Sequence, residues 1–218
     1  MSAYGCFTEK LPGGTINTAN SYNRQAEQYE ARWQKYLKHT HRQLVNELRL
    51  AGDDIILDAS CGTGLFARYL IKASLPFEKL VLNDIAADMQ QKAITRFKDR
   101  LDIVFTAQPV QQLLFEPRSF TNIVCLNAFH NYPDQPRVMD HFQRILQPGG
   151  HLYLLDWNNS GAFRLVNWII KQTTTEHIDS CSLHEIKQLC SDSGFHVTSE
   201  KEWYFRYWKL LFVKAQRL

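Results

Sequence analysis

The chain has 218 residues, 44% of them hydrophobic and 22% charged, so it can bury a core and has neither a disordered nor a fibrous composition. Lys and Arg total 25 against 22 Asp and Glu, and their scatter along the chain argues against a nucleic-acid partner. The five cysteines form no CxxC pair, which predicts neither a disulfide framework nor a metal site. No apolar stretch approaches about 18 residues and the N-terminus lacks a secretory pattern, so we expect a cytoplasmic protein without a membrane span.

The N-terminal part begins with an irregular stretch and continues with a helical one. Residues 1–16 include Pro12, Gly13 and Gly14 and show no hydrophobic periodicity, which predicts a flexible arm or a flap that a ligand orders. Residues 18–50 contain no Pro or Gly and repeat apolar side chains at helical spacing. We therefore predict one helix across residues 18–50.

Five short apolar runs follow, separated by segments of helical length. Runs that are apolar on both faces are typical of parallel strands buried between helices. The predicted strands are residues 55–58, 80–84, 103–105, 123–126 and 151–156, and the first two are followed by helices at 65–72 and 86–97. This alternation predicts a doubly wound α/β fold.

The C-terminal part is organised differently. Residues 157–181 carry scattered aromatic side chains and predict one helix, and Ser182 and Glu185 have the spacing of a capping box, which starts a helix that would end at Gly194. Two further strands are predicted at residues 195–204 and 210–215. Their short connection indicates an antiparallel hairpin at one edge, which completes a mostly parallel seven-stranded sheet.

A glycine-rich turn lies between the first strand and its helix. Gly62, Gly64 and Ala67 match the Gly-x-Gly-x-x-Ala nucleotide fingerprint, and Asp84 ends the next strand, twenty residues beyond Gly64. An acid at that place can accept hydrogen bonds from ribose hydroxyls. The pattern predicts a ribose-containing ligand across the carboxyl ends of these strands.

Asp58 helps to choose between two classes of ligand. A dinucleotide would place its pyrophosphate beside this carboxylate, which is electrostatically unfavourable. S-adenosylmethionine has a cationic amino group and a sulfonium instead, so an acid at Asp58 would attract it directly or through water. The acid therefore favours S-adenosylmethionine, and a nicotinamide-dependent oxidoreductase stays open as an alternative.

The sequence resembles the class I S-adenosylmethionine-dependent methyltransferases, in particular the small-molecule group similar to ubiquinone and menaquinone biosynthesis methyltransferases. The resemblance covers roughly residues 20–156 and rests on three motifs. Residues 56–64 (ILDASCGTG) look like the motif Asp-x-Gly-Cys-Gly-Thr-Gly, residues 83–89 (NDIAADM) look like the second motif, and residues 146–150 (LQPGG) look like the turn before the fifth strand.

The resemblance implies a Rossmann-like methyltransferase fold, S-adenosylmethionine as cofactor and a set of contacts to it. Gly62 and Gly64 would approach its methionine part, Asp84 would hold the ribose, and Ile85 and Met89 would pack on the adenine. The remaining implied cofactor contacts are Asp58, Ala59, Ser60, Gln108, Val110, Asn127 near the transferred methyl group, and Tyr22 and Tyr29 in a lid.

The chain departs from the family pattern at two places. Ser60 replaces the first glycine of the first motif, which suggests a ligand contact through its hydroxyl. Pro109 stands where the family often has an acid that binds the adenine, so Gln108 or Gln111 would substitute, or packing alone would hold the base.

The expected organisation is a single domain, residues 1–218. We divide it into an N-terminal arm and lid helix (1–50), a cofactor-binding core (51–156), a substrate-lid insertion (157–181) and a C-terminal helix with edge strands (182–218).

The expected reaction is methyl transfer to a small, apolar or aromatic acceptor. His130, in the loop after the fourth strand, is the candidate general base, with a structural or substrate-shaping histidine as the alternative. The aromatic tail leaves a homodimer possible. A non-catalytic S-adenosylmethionine-binding partner protein is the other functional alternative.

Overall fold

The architecture is that of a doubly wound α/β protein. In the computed structural model, which describes residues 13–218, seven strands form one sheet in the order β3-β2-β1-β4-β5-β7-β6. The first five strands pair in parallel, and β7 pairs antiparallel with both β5 and β6. The strands are β1 Ile55–Asp58, β2 Lys79–Asn83, β3 Ile103–Thr106, β4 Phe120–Leu126, β5 Leu146–Trp157, β6 Phe195–Phe205 and β7 Trp208–Arg217. The predicted fold class and edge hairpin are confirmed.

Eight α-helices cover the described part of the chain. They are α1 Gly13–Gln25, α2 Tyr29–Arg32, α3 Gln34–Glu47, α4 Leu65–Lys72, α5 Ala87–Phe97, α6 Gln135–Ile145, α7 Phe163–Thr173 and α8 Leu183–Asp192. Buried apolar side chains fill both faces of the sheet, in two separate clusters. Because β1, β2 and β4 are buried on both sides, their carboxyl ends are held rigidly at one edge.

The single helix predicted for residues 18–50 is wrong, because the segment forms α1, α2 and α3 with breaks at residues 26–28 and at Trp33. The reason is that its apolar side chains have two different destinations. Tyr22, Ala26 and Tyr29 pack toward Met89 on α5, whereas the apolar face of α3 packs on the sheet and α4. A single straight helix could not bring both sets of apolar side chains to their contacts.

The arm predicted for residues 1–16 lies mostly outside the described residues. Residues 13–16, however, are the first turn of α1. Gly14 approaches the imidazole of His177 so closely that a Cβ would lie 3.3 Å from the His177 Cβ. The structure therefore corrects the prediction over these four residues.

The sequence analysis also missed α6. The helix is capped by Asp134, whose side chain accepts from the Arg137 amide, and Pro136 occupies its first turn. Its buried face is Val138, Met139, Phe142 and Ile145. Both the cap and this spacing are readable in the sequence, so the signal was present.

The C-terminal elements follow the sequence closely. Ser182 and Glu185 form the expected capping box of α8, and Gly194 has the positive φ of 75° that ends the helix. Four described cysteines are free thiols. Within residues 13–218, no helix has both the length and the apolar character to cross a membrane.

Candidate active site

The glycine turn is fixed by hydrogen bonds to the neighbouring strand. The Cys61 amide donates to the Asn83 carbonyl at 2.9 Å, and the Gly62 amide donates to Asp84 Oδ2 at 2.7 Å. Gly62 and Gly64 both have positive φ, 52° and 75°, which favours glycine. The turn is thereby held open above the ends of β1 and β2.

A cavity lies at this edge of the sheet, with about 890 Å³ of empty space including its open mouth. Ten of the predicted residues line it: Tyr22, Tyr29, Ser60, Gly62, Asp84, Ile85, Met89, Gln108, Val110 and Asn127. Asp58, Ala59, Gly64 and His130 are not among its lining residues.

Gly64 is required for the packing of α5 against the turn. A Cβ there would lie 2.9 Å from Phe97 Cε2 and 3.0 Å from Ala93 Cβ, both on α5. The glycine lets α5 lie directly against the turn. Ala59 is fully buried, and its carbonyl accepts from Asn83 Nδ2 at 3.0 Å.

Asp84 presents its carboxylate to the cavity. Its Oδ1 accepts from the Ala86 amide at 2.8 Å, and its Oδ2 accepts from Gly62. Burial raises the pKa of Asp84, and these two backbone amides act against that rise. Each oxygen has a further lone pair, so the group can accept hydrogen bonds from a vicinal diol.

Asp58 lies just behind the cavity wall at the end of β1. It is 2% exposed, and its Oδ2 has no hydrogen-bond partner among residues 13–218. Burial raises the pKa of Asp58 well above its ordinary range, and the nearby charge of Asp84 raises it further. A buried carboxylate oxygen without a partner is costly, so this position fits a cationic ligand group.

The lid helices α1 and α2 close the cavity from above. Tyr22 and Tyr29 contact each other edge to face at 5.8 Å between ring centroids, and Asn131 Nδ2 donates to the Tyr22 hydroxyl at 3.2 Å. Burial raises the pKa of both tyrosines well above the ordinary value, so both stay neutral donors.

Two carboxylates fasten the lid. Glu176 Oε1 accepts from Ser21 Oγ at 2.8 Å and from Gln25 Nε2 at 3.1 Å, which ties α1 to the segment after α7. Glu30 Oε1 accepts from Thr63 Oγ1 at 2.6 Å and pairs with Arg96 Nη2 at 2.7 Å, which ties α2 to the glycine turn and α5.

Asn127 anchors the far wall. The Tyr36 hydroxyl donates to Asn127 Oδ1 at 2.9 Å, and Trp157 Nε1 donates to the same hydroxyl at 2.9 Å. Asn127 Nδ2 donates to Thr40 Oγ1 at 2.9 Å. The amide therefore links α3 to the ends of β4 and β5.

His130 is buried next to the cavity. Its Nδ1 lies 2.5 Å from Asp156 Oδ1, and its backbone amide donates to Asp156 Oδ2 at 3.0 Å. The ring stacks on Trp157 with centroids 4.0 Å apart. The Asp156 carboxylate fixes the ring orientation, as in a His–Asp pair.

Several lining residues were not anticipated. Thr15, Thr18 and Ala19 of α1 line the cavity together with Leu37, His41, Asn131 and Tyr132. Nδ1 of His41 donates to the Leu37 carbonyl at 2.7 Å, and burial lowers the pKa of His41 to about 4. The inward face of α1 repeats at three- and four-residue intervals, which is the signal that could have indicated it.

Comparisons with known proteins agree with this geometry. A family model described as methyltransferase domain matches residues 26–200. The chain belongs to this methyltransferase family. Membership confirms the resemblance to class I S-adenosylmethionine-dependent enzymes, and S-adenosylmethionine is the cofactor expected for it.

Two curated relatives and one solved structure illustrate the similarity. The chain is 32% identical to the phthiotriol/phenolphthiotriol dimycocerosates methyltransferase of Mycobacterium leprae over 119 residues, 53% of this chain and 42% of that protein. It is 35% identical to the demethylmenaquinone methyltransferase of Thermotoga maritima over 101 residues, 46% of this chain and 42% of that protein. The chain therefore spans less than half the length of these relatives.

The solved structure is an S-adenosylmethionine-dependent methyltransferase from Mesorhizobium loti. It superposes with a TM-score of 0.69 at 18% identity, covering 83% of this chain and 100% of that one. At this identity the likeness supports the fold.

Proposed function

We propose that this protein transfers a methyl group from S-adenosylmethionine to a small, apolar or aromatic acceptor. The observation that carries the proposal is the placement of two acids at adjacent strand ends, Asp58 buried just behind the cavity wall and Asp84 half-buried in the cavity lining. One has an oxygen without a partner and suits a cation, and the other suits a ribose. When bound, S-adenosylmethionine would supply an activated methyl group on its sulfonium for in-line displacement.

The protein residues would bind, orient and exclude water. Asp84 would accept hydrogen bonds from the ribose hydroxyls, and Asp58 would face the amino group. Ile85 and Met89 would pack on the adenine. Tyr22 and Tyr29 would shield the reacting centre from solvent.

His130 would act as general base where the acceptor is a hydroxyl or an acidic carbon. Asp156 would hold its ring in position. The His130 ring is stacked on Trp157 and lies outside the cavity lining, so this role requires the ring to become accessible to the acceptor. An amine or thiolate acceptor would need no base.

The apolar and aromatic lining supports an uncharged acceptor. The two curated relatives are named for demethylmenaquinone and for phthiotriol or phenolphthiotriol dimycocerosates. We therefore propose a quinol, a phenol or a lipid alcohol as the first acceptors to try.

Calorimetric titration of the full chain with S-adenosylhomocysteine and with NADH tests the cofactor. We expect binding of the first and none of the second, and the reverse result would support the oxidoreductase alternative. Incubation with methyl-labelled S-adenosylmethionine and these acceptors then tests transfer. Cofactor binding with no product from any acceptor would favour the non-catalytic alternative.

A further inference from the structure

The side chain of Gln111 is buried at the cavity without a hydrogen bond. Gln111 is 4% exposed and lines the cavity. Neither its Oε1 nor its Nε2 has a partner among residues 13–218. An unpaired buried amide destabilises a protein, because both polar groups have lost their water. Such a pair of groups indicates a ligand that supplies one donor and one acceptor.

Gln111 belongs to the loop after β3, which is fixed beside the end of β2. The Thr106 hydroxyl and the Gln108 amide donate to Asn83 Oδ1 at 2.9 and 2.8 Å, and Asn83 Nδ2 donates to the Gln108 carbonyl at 2.9 Å. The Asp84 amide donates to the Thr106 carbonyl at 3.1 Å. The loop that carries Gln111 is thus held next to Asp84.

This placement assigns Gln111 to the base rather than to the methionine part. The inference rests on the proposed function, in which Asp84 holds the ribose. Asp58 lies at the end of β1, on one side of β2, whereas Gln111 follows β3, on the other side. A nucleoside held at Asp84 with its amino-acid part toward Asp58 would extend its base toward Gln111. Ile85, Met89 and Val110 supply apolar walls for the faces of that base.

We propose that Gln111 reads the hydrogen-bonding edge of the adenine. Its Oε1 would accept from the 6-amino group, and its Nε2 would donate to ring atom N1. A carboxamide and an adenine edge carry matching donor and acceptor pairs, which is why glutamine and asparagine pair with adenine in other recognition sites. The apolar walls alone would not distinguish adenine from other purines.

Gln108, the other candidate from the sequence, has its carboxamide oxygen engaged. The Leu114 amide donates to Gln108 Oε1 at 2.7 Å. Pro109 has no side-chain acceptor. Within this loop, Gln111 therefore has the unpaired side-chain amide that would replace the acid missing at Pro109.

The test compares two ligands on the full chain. One is S-adenosylhomocysteine, and the other is its analogue with hydrogen in place of the 6-amino group. We expect the wild-type protein to bind the first about 10-fold to 100-fold more tightly, by calorimetry. The variant Gln111→Met, which keeps the length of the side chain, should bind both ligands with similar affinity. Gln112→Met is the control, since Gln112 does not line the cavity.

The thermal midpoint separates recognition from loss of structure. Removing an unpaired buried amide should leave the midpoint of the ligand-free variant unchanged or raise it, while the stabilisation by S-adenosylhomocysteine falls. Equal binding of both ligands by the wild-type protein would overturn the inference, and this comparison needs no variant to fold. Retained discrimination in Gln111→Met would also overturn it. If S-adenosylhomocysteine does not bind the wild-type protein at all, the proposed function fails with it.

Discussion

Asp58→Asn tests whether a buried charge meets a cationic ligand. The substitution keeps the size of the side chain and removes the negative charge. Asp58 Oδ2 has no partner within residues 13–218, so no hydrogen bond to that oxygen is lost in the ligand-free protein. In the proposed function, the interaction lost from Oδ2 is the one with the amino group of the cofactor.

The expected magnitude follows from the kind of interaction. A hydrogen bond to a charged group contributes about 1.5–3 kcal/mol, which corresponds to about 10-fold to 100-fold in the dissociation constant. S-adenosylhomocysteine carries the amino group, whereas methylthioadenosine keeps the ribose and adenine and lacks it. Asp58→Asn should weaken the binding of S-adenosylhomocysteine by this factor and leave the affinity for methylthioadenosine unchanged.

Asp84→Asn is the matched comparison. In the proposed function its carboxylate would hold the ribose that both ligands share, so this variant should weaken the binding of both. Calorimetric titration of the two variants with the two ligands gives four affinities. If Asp58→Asn lowers the affinity for both ligands equally, or for neither, Asp58 does not meet the cationic amino group.

Asp58 also predicts a dependence of stability on pH. Burial raises its pKa above the ordinary 3.8, so its contribution to stability is present at low pH and is lost as the pH rises through the raised value. The thermal midpoint of Asp58→Asn minus that of the wild-type protein should therefore increase with pH above 3.8. A difference that is constant or falls would show that the carboxylate is stabilised by protein groups.

Three further variants test other parts of the site. Gly64→Ala should lower the free energy of unfolding by about 1–3 kcal/mol, because Gly64 has a positive φ and the added Cβ would meet Phe97. Urea unfolding compares this variant with Gly52→Ala, where a Cβ meets nothing within 4 Å. Equal stabilities of the two variants would contradict the prediction. Glu176→Ala should speed the dissociation of S-adenosylhomocysteine about fivefold by releasing α1, measured by stopped flow against Glu78→Ala, an exposed site away from α1 and α2; an unchanged rate would show that the lid is held elsewhere. His130→Ala should lower turnover about 100-fold with little change in cofactor affinity, and near-normal turnover would make His130 a structural residue.

The strands, the edge hairpin and the glycine turn were readable from the sequence, because they depend on local patterns. A buried parallel strand needs an apolar run, and a tight strand-to-helix turn needs glycine, so Gly62 and Gly64 located the turn without any structure. Asp84 followed from its distance to that turn. The capping residues Ser182 and Glu185 likewise act within one helical turn.

The tertiary structure decided which side chains have partners, since partners come from distant parts of the chain. The side-chain oxygen of Gln108 accepts a hydrogen bond from the Leu114 amide, whereas the Gln111 carboxamide has no partner among residues 13–218. The two residues look equivalent in the sequence. The break between α1 and α3 depends on where Tyr22 and Leu44 find their apolar contacts, which helical periodicity cannot express. His130 and Asp156 are 26 residues apart in the chain and pair because the sheet brings the ends of β4 and β5 together. Local sequence thus determined the strands and the glycine turn, whereas packing determined how the N-terminal helices divide and which side chains are left without partners in the described part of the chain.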